Sequence, residues 1–521
     1  MILRFAGILA FTLASLSPFM ESGSTMPTTS ADPTSALFES ADSGKLMAQQ
    51  YCQGCHLLPD PSLLDKKTWT TGVLPNMAMR LGLREAGVDP YEDLPEDEVK
   101  VIKQLGVYPE APVLSESAFK QIVAYYERQA PEAPLPQVSA PAIKNQLPNF
   151  DVKSLTIGNK SVPKTTLLKF DRSTSTLYVG DGHNSLSALN QKLQPITTWW
   201  VDTAPTDIDF PKNSAPRVLT VGSIQPSDQK LGRLLSMDKV RQTQSIHMPE
   251  LARPVQFATG DLNADGVEDV VISQFGHHTG KLSWYEGFAS EKEHILSQLP
   301  GTRKVEIMDL NNDKKPDLIV LRTQAKEGIV IYFNLGNGKF KEQAVLNFQP
   351  AFGASYFELA DFNRDGYQDI LLTNGDNWDF SPINKNYHGV RIYLNDRKNN
   401  FKEAYFFPIY GASKAIARDF DGDGNLDIAL TSFYTDLPRP EHGFVLLLNK
   451  GKLQFDPYST PEAAAGKWLT MEAADFDLDG DIDLVLGSYF QSLGELTKLA
   501  SKGILDFPQL LILTNQAKQA H

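Results

Sequence analysis

Asp261-Leu262-Asn263-Ala264-Asp265-Gly266-Val267-Glu268-Asp269 places oxygen-bearing side chains at positions 1, 3, 5 and 9 of a short loop. Alternate residues of a tight loop turn their oxygens toward one centre, where a hard cation accepts six to eight of them. The pattern occurs five times. It returns as Asp309, Asn311, Asp313 and Asp317, then as Asp361, Asn363, Asp365 and Asp369. It returns again as Asp419, Asp421, Asp423 and Asp427, and last as Asp475, Asp477, Asp479 and Asp483. Position 7 is expected to add its carbonyl, from Val267, Lys315, Tyr367, Asn425 and Asp481. Position 6, at the sharp turn, is glycine in four copies (Gly266, Gly366, Gly424, Gly480) and Lys314 in the second, so the second site is expected to be the weakest. One copy could be a metal-free polar turn; five at one spacing point to calcium, about five ions. The loops hold 18 carboxylates, so much of the net charge of −14 is metal ligand rather than partner surface.

Working outward, each loop is entered by a short run such as Phe257–Gly260 and left by a β-rich one such as Val270-Val271-Ile272 or Leu484-Val485-Leu486. The metal loop therefore joins two strands, unlike the helix-flanked loops of EF-hands. The first aspartates lie 48, 52, 58 and 56 residues apart, and a period near 50 with strand patterning means propeller blades. A third strand follows in each copy (Lys281–Glu286, Ile329–Asn334, Val390–Asn395, Phe444–Asn449, Gln509–Asn515) and a fourth in several. This unit resembles the FG-GAP/VCBS repeats of integrin-α-type β-propellers, over roughly residues 255–515. Two degenerate copies lie upstream: Leu167–Asp171 followed by Leu177–Gly180, and Asp207–Phe210 followed by Val218–Val221. The count becomes seven. The last blade runs out after three strands, and Phe150–Ile157 is expected to complete it and close the ring; as a blade of its own it would make eight.

Loops joining second to third strands emerge on the face opposite the metal loops. Three are long: Asn374–Gly389, Ser432–Gly443 and Ser488–Pro508. Loops of this length in a compact domain are more often functional than not. His278, His388 and His442 each stand just before a third strand, and His183 is placed similarly in the first degenerate blade. Asp376, Trp378, Asp379, Tyr387, Tyr434 and Tyr489 lie nearby. His278, His388, His442, Asp376 and Asp379 are the catalytic candidates: imidazoles at one pore mouth could share a metal or serve as base, or each could simply hydrogen-bond its own turn.

The only two cysteines sit in Cys52-Gln53-Gly54-Cys55-His56. Covalent haem c needs two thiols one helical turn apart and an imidazole next to them as iron ligand. A zinc site would need a second ligand pair, and a dithiol redox motif would not need the histidine. Ser43–Tyr51 is a helix candidate with Met47, Tyr51 and Cys55 at four-residue spacing. Ser115 can cap a helix through Arg128 with Phe119, Ile122, Val123 and Tyr126 on one face. These segments resemble the N- and C-terminal helices of class I cytochromes c. Met77, after a Pro75-Asn76 turn, is the expected second axial ligand, with Met79 as the alternative; either could instead be a core methionine.

The domain reading follows: signal peptide 1–21, disordered tether 22–37, cytochrome c domain 38–130, Pro-rich linker 131–148 and propeller 149–517. The fold class is multidomain, a small all-α cytochrome c domain followed by an all-β, seven-bladed propeller. Arg4 and the apolar run Phe5–Leu16 read as an export signal, or as an uncleaved anchor, and place the chain in the periplasm or outside the cell. After residue 25 no apolar run is long enough to span a membrane. The acidic balance excludes nucleic acid as partner. Three functions are compatible: electron transfer with a redox partner protein or small-molecule electron donor, a propeller-based dehydrogenase that oxidises a sugar or alcohol and passes electrons to its haem, and an adhesion or ligand-binding module. The second resembles quinoprotein dehydrogenases in plan, although their cofactor motifs do not map onto these residues. Electron transfer ranks first, because haem is the one redox chemistry the residues specify.

Overall fold

The computed structural model describes residues 33–85, 87–158, 162–212, 214–238, 241, 243–324, 326–376 and 381–517, residues 33–42 by backbone alone. The predicted signal peptide, residues 22–32 of the predicted tether, Trp378 and the catalytic candidate Asp379 lie outside the described residues.

The described strands form seven four-stranded antiparallel sheets. Blades 1 to 6 take four consecutive strands each, from residues 165–200, 205–251, 254–297, 302–347, 354–408 and 412–458. Blade 7 takes three strands from 468–515, and its outer strand is Phe150–Leu155. That strand pairs with Leu510–Asn515 in the register Phe150↔Asn515 to Leu155↔Leu510. The expected closure is therefore present, and the segment is not an eighth blade. It ties the start of the domain to its end and covers an edge that would otherwise stay unpaired.

The second strands that follow the acidic loops, such as Asp269–Gln274 and Asp427–Ser432, are buried at every residue. Neighbouring blades cover both of their faces, so they read as continuous apolar runs rather than alternating ones. The first strands line the central axis. There, side chains staple each blade to the next. Asp207 accepts the Phe257 N–H at 3.1 Å, Gln256 the Val305 N–H at 2.8 Å and Glu358 the Ala417 N–H at 2.7 Å. Glu472 of blade 7 accepts the Phe170 N–H of blade 1 at 3.2 Å, so the stapling also runs across the closure.

Ahead of the propeller lie α1 (Pro33–Cys52), α2 (Lys66–Thr68), α3 (Leu74–Arg80), α4 (Glu96–Leu105) and α5 (Glu116–Gln129). The predicted helix Ser43–Tyr51 is the second half of α1, so residues 33–37, expected as tether, are helical. Ser115 caps α5 as expected, its Oγ accepting the Ala118 N–H at 3.1 Å. α1 and α5 cross in contact because residue 44 is glycine: a Cβ there would meet the Gln121 carbonyl oxygen at 2.4 Å and the Tyr125 Cβ at 2.8 Å. Ala48, Leu64, Trp69, Leu74, Ile122 and Tyr126 fill the space below. Pro75-Asn76 is not a turn. Pro75 is the second residue of α3, which continues without a break from a π-helical stretch, Trp69–Val73, where the Leu74 N–H reaches back to the Trp69 carbonyl. No helix among the described residues is long and apolar enough to cross a membrane.

The Pro-rich linker is extended and bound to the propeller. Lys144 exchanges backbone hydrogen bonds with Pro457 and Ser459 at 3.0 and 2.8 Å, and Gln137 donates to the His388 carbonyl at 2.7 Å. The helical unit also docks directly. Ser227 donates to the buried carboxylate of Glu98 at 2.5 Å, and the Tyr108 hydroxyl meets His278 Nε2 at 3.3 Å. Ala351, between blades 4 and 5, and Ile383 of blade 5 pack against the helical core.

Candidate functional site

The five acidic loops share one backbone. Position 6 is left-handed in all of them, at φ 84, 66, 86, 86 and 94° for Gly266, Lys314, Gly366, Gly424 and Gly480. Lys314 thus bears the strain that glycine spares the other copies. Position 4 is left-handed too, at Ala264, Asn312, Arg364, Gly422 and Leu478. Residue type hardly marks this, because four of the five are not glycine. The N–H of position 6 donates to the position 1 aspartate in every copy, at 2.8–3.0 Å.

Position 9 has a structural task as well as any ligand task. One oxygen of Asp269, Asp317, Asp369, Asp427 and Asp483 accepts the N–H of position 2 at 2.9–3.0 Å. The other accepts an N–H at or just beyond the end of the third strand, from Gly287, Asn334, Asn395, Asn449 or Asn515, at 2.7–3.0 Å. Those asparagines were not singled out from the sequence, although one closes the third strand in four copies. Asn334 and Asn515 use their amides to reach the preceding blade, at the Leu262 and Phe420 carbonyls, 2.9 and 2.8 Å away.

In two loops the carboxylates converge. Asp419, Asp421 and Asp423 each offer an oxygen within 4.8 Å of the others, as do Asp475, Asp477 and Asp483. Asp475 Oδ1 is buried with no hydrogen-bond partner, the state of an oxygen suited to ligate a cation. Burial, with the neighbouring aspartates adding to it, pushes the Asp427 carboxyl up to about 7 and that of Asp483 up to about 6. Three loops carry side-chain cations on their own carboxylates: Lys315 on Asp313 at 2.9 Å, Arg397 on Asp365 at 3.0 Å and Lys450 on Asp421 at 3.2 Å.

The degenerate blades lack the acidic loop and satisfy their aspartates in different ways. In blade 1, Asp171 is satisfied by Ser173 and Thr174. In blade 2, Asp209 pairs with Arg217 across the strands as Gly260 pairs with Asp269, so Arg217 stands where position 9 stands elsewhere. Its guanidinium binds Asp209 at 2.8 Å and Glu268 at 2.7 Å.

On the opposite face, the histidines do not gather. Among the described residues, the groups of three or more His, Cys, Asp or Glu side chains placed to hold one ion are the two acidic loops. His278 Nδ1 lies 3.1 Å from buried Asp228, and its other nitrogen faces Tyr108. Burial would raise the Asp228 carboxyl, but hydrogen bonds from His278 and Thr279 pull it well below the usual range. His388 is fully buried with neither ring nitrogen hydrogen-bonded, and His442 has an unpartnered Nε2. His183 sits on Asp181 at 2.6 Å. His278 and His183 are thus each held by an aspartate, whereas His388 and His442 keep unpartnered ring nitrogens. Asp376 and Tyr434 do come together, through a residue the sequence reading missed: Arg303, which binds Asp376 at 3.1 Å and the Tyr434 hydroxyl.

These groups, with His277, rim a cavity of 1410 Å³ that runs along the propeller axis. His277, not its neighbour His278, faces this mouth. Burial, helped by the positive charges around it, pushes its imidazole down to about 4, so it is neutral at pH 7. Arg80, the last residue of α3, is one of those charges and lies over the Tyr108 ring at 5.7 Å. The helix with Met77 and Met79 therefore ends beside the channel mouth.

In the helical unit, α1 ends at Cys52 and the Cys55 N–H returns to the Cys52 carbonyl at 3.4 Å. Both thiols are free; burial, with Cys55 nearby, pushes that of Cys52 up to about 11. The His56 Nδ1 meets the Leu57 carbonyl at 2.7 Å, which leaves Nε2 available. Met77 and Met79 are half-buried, and neither packs into the aromatic core that takes in Met47.

Comparison with known proteins agrees with this architecture. An FG-GAP-like repeat model matches residues 261–320, 309–372 and 419–486, segments that contain all five acidic loops. Integrin alpha-4 of Xenopus laevis is 28% identical over 142 residues, which are 25% of this chain and 14% of that protein. The chain thus matches a small part of that relative's length. Among solved structures, the Neurospora crassa Pan2 WD40 domain aligns with a TM-score of 0.41 at 10% identity, over 71% of this chain and 97% of its own. BBS1N, from its complex with ARL6DN, aligns with a TM-score of 0.44 at 10% identity, over 72% and 98%. At such scores the blade count rests on the strand pairing itself. The class is a seven-bladed β-propeller carrying FG-GAP-like repeats.

Proposed function

We propose that this is an exported, monohaem c-type electron-transfer protein, whose calcium-stiffened propeller is the platform for a redox partner protein or a small-molecule donor. The observation that carries the reading is Cys52-Gln53-Gly54-Cys55-His56 at the end of a helix that crosses a second helix in contact. Cys52 and Cys55 would bond the porphyrin, His56 would ligate iron through Nε2, and Met77 or Met79 would take the other side. The fit is chemical. Both thiols are free, the Leu57 carbonyl holds Nδ1 as an outer partner orients a metal-bound imidazole, and the two methionines stand clear of the core. Haem iron carries one electron, and a thioether ligand raises its potential.

Calcium would occupy the acidic loops, whose hard oxygen donors suit it. Its role would be to fix the strand ends, since the position 9 aspartates already tie loop to sheet. The test is to export the full chain from a host that attaches haem c and extract the product under denaturing conditions. A Soret band that stays with the polypeptide, and is lost in C52A/C55A, supports the reading. Mature protein without a Soret band refutes it.

A second reading, oxidation of a small molecule in the propeller with electrons passed to the haem, is favoured by one observation: α3 ends at Arg80, beside His277 at the channel mouth. Reduction of the haem by a candidate substrate, abolished in H277Q, would promote it.

A further inference from the structure

The axial channel is lined by charged side chains from the first strands, and nearly all are matched. Lys304 Nζ binds Glu306 at 2.6 Å, and Arg418 binds Glu358 at 2.7 Å. Lys169 lies against Glu472, with Asp207 as a further counter-charge. Lys414 differs: among the described residues no carboxylate pairs with it. Its ammonium lies 5.2 Å from the centroid of the Tyr356 ring, and that of Lys304 lies 4.1 Å from the same ring. Lys169 also feels both Tyr356 and Lys304. Two ammonium groups and one phenol therefore meet at one station of a channel of 1410 Å³, with Lys169 in the same field, and Lys414 is the one of the three lysines without a carboxylate of its own.

We propose that the channel binds a small organic acid by its carboxylate at the Lys304–Tyr356–Lys414 station. An ammonium that no carboxylate pairs with, beside a phenol hydroxyl in a concave channel, is a natural seat for a counter-anion, and the channel has room for a small metabolite with its water. Glu306 and Glu472 stand close by and oppose a second negative charge, so a singly charged head group fits better than a phosphate dianion. Lysines are point-charge donors, and the Tyr356 hydroxyl supplies a directional hydrogen bond to one carboxylate oxygen. The site needs no haem, so it stands apart from the electron-transfer reading.

Isothermal titration calorimetry on the full-length protein tests it, with lactate, succinate and inorganic phosphate as probes and haem content read separately from the Soret band. A carboxylate binds the wild type. K414Q weakens that binding by about tenfold or more, as loss of one charged hydrogen-bond donor should. K414R, which keeps the charge, retains binding to within a few-fold, and K398Q on the outer turn at Asp396–Asn400 leaves it unchanged. Matching circular dichroism spectra of K414Q and wild type show that the propeller is folded. Absence of binding by both carboxylates, undiminished binding in K414Q, or binding of phosphate alone overturns the proposal.

Discussion

Arg217 should act as a built-in cation, and R217M should show how much it contributes. The guanidinium side chain is 9% exposed and reaches both oxygens of Asp209, at 2.8 and 3.0 Å through Nε, while the Phe288 ring lies 4.3 Å beneath it. Methionine keeps the packing and removes the charge. Glu268, nearly half exposed, then returns to water at a cost of roughly 0–1 kcal/mol. Asp209 is 25% exposed and cannot do the same, so the larger loss comes from a carboxylate left without its cation. Breaking a buried pair costs about 3–5 kcal/mol, and the partial exposure places this case near the lower end, about 3 kcal/mol. In urea, which does not screen charge, an m-value of about 3 kcal/mol/M or more makes the midpoint shift about 1 M or less.

Two further arms separate this account from simple loss of packing. D209N/R217M removes both charges, and should recover most of the loss, because no buried charge is left unpaired. The penalty should also depend on pH with a definite sign. Burial already holds the Asp209 carboxyl above its ordinary value, and loss of Arg217 removes the groups that oppose this. A carboxyl raised in the folded state binds more protons there than in the unfolded chain, so stability falls as pH rises. The gap between R217M and wild type should therefore be widest at neutral pH and narrow as pH falls toward the ordinary carboxylate range. A gap independent of pH, or a double variant no better than R217M, would refute the reasoning. The loss should persist in chelator, since no metal is involved in that blade.

Four other outcomes are expected. G44V should unfold the helical unit at lower temperature, by roughly 1–3 kcal/mol or more, because its Cβ would strike the α5 backbone; a far-UV melt of the variant reads this. Chelation should lower the melting temperature of the propeller, and in calorimetric titrations the fifth loop, with five aspartates and glycine at position 6, should fill more tightly than the second, which has three aspartates and Lys315 on Asp313; equal affinities of D477N and D313N variants would contradict this. His277, pushed down to about 4, should stay neutral at pH 5 by NMR. Since the unfolded chain protonates it near 6.5, the native state loses stability as pH falls below about 6.5, and H277Q should remove that part of the acid sensitivity. Deleting residues 150–155 should leave Leu510–Asn515 as an open edge and promote self-association, visible by sedimentation.

The propeller was legible because its rules are local and repeated. A loop of four oxygen positions recurs beside a run of apolar residues, and the register of a buried strand leaves little freedom once its loop is fixed. The closing strand was legible for a related reason: a blade with three strands implies a fourth elsewhere, and Phe150–Ile157, just before the first blade, has the pattern of one. What repetition could not reveal was the strain at position 4, since Ala264, Arg364 and Leu478 carry no mark of a left-handed backbone. The histidine doublet shows the same limit at the site. Nothing in His277-His278 says that the first faces the channel while the second is taken by Asp228 and Tyr108.

The docking of the helical unit is where sequence reasoning had least to work with. Its contacts join residues far apart in the chain, 129 positions for Glu98 and Ser227 and 170 for Tyr108 and His278, and each is a single pair with no periodicity. A Pro-rich linker of that composition is compatible with a swinging tether or a strap. The structure distinguishes them by hydrogen bonds, since Lys144 is paired to the outer strand of blade 6 and Gln137 to the loop before the third strand of blade 5. A strap at these points fixes which face of the helical unit meets the propeller. That face includes the end of α3, and it meets the long-loop mouth of the channel rather than the acidic loops. The end of α3 is therefore held over one end of the axial cavity, and the acidic loops lie at the other end.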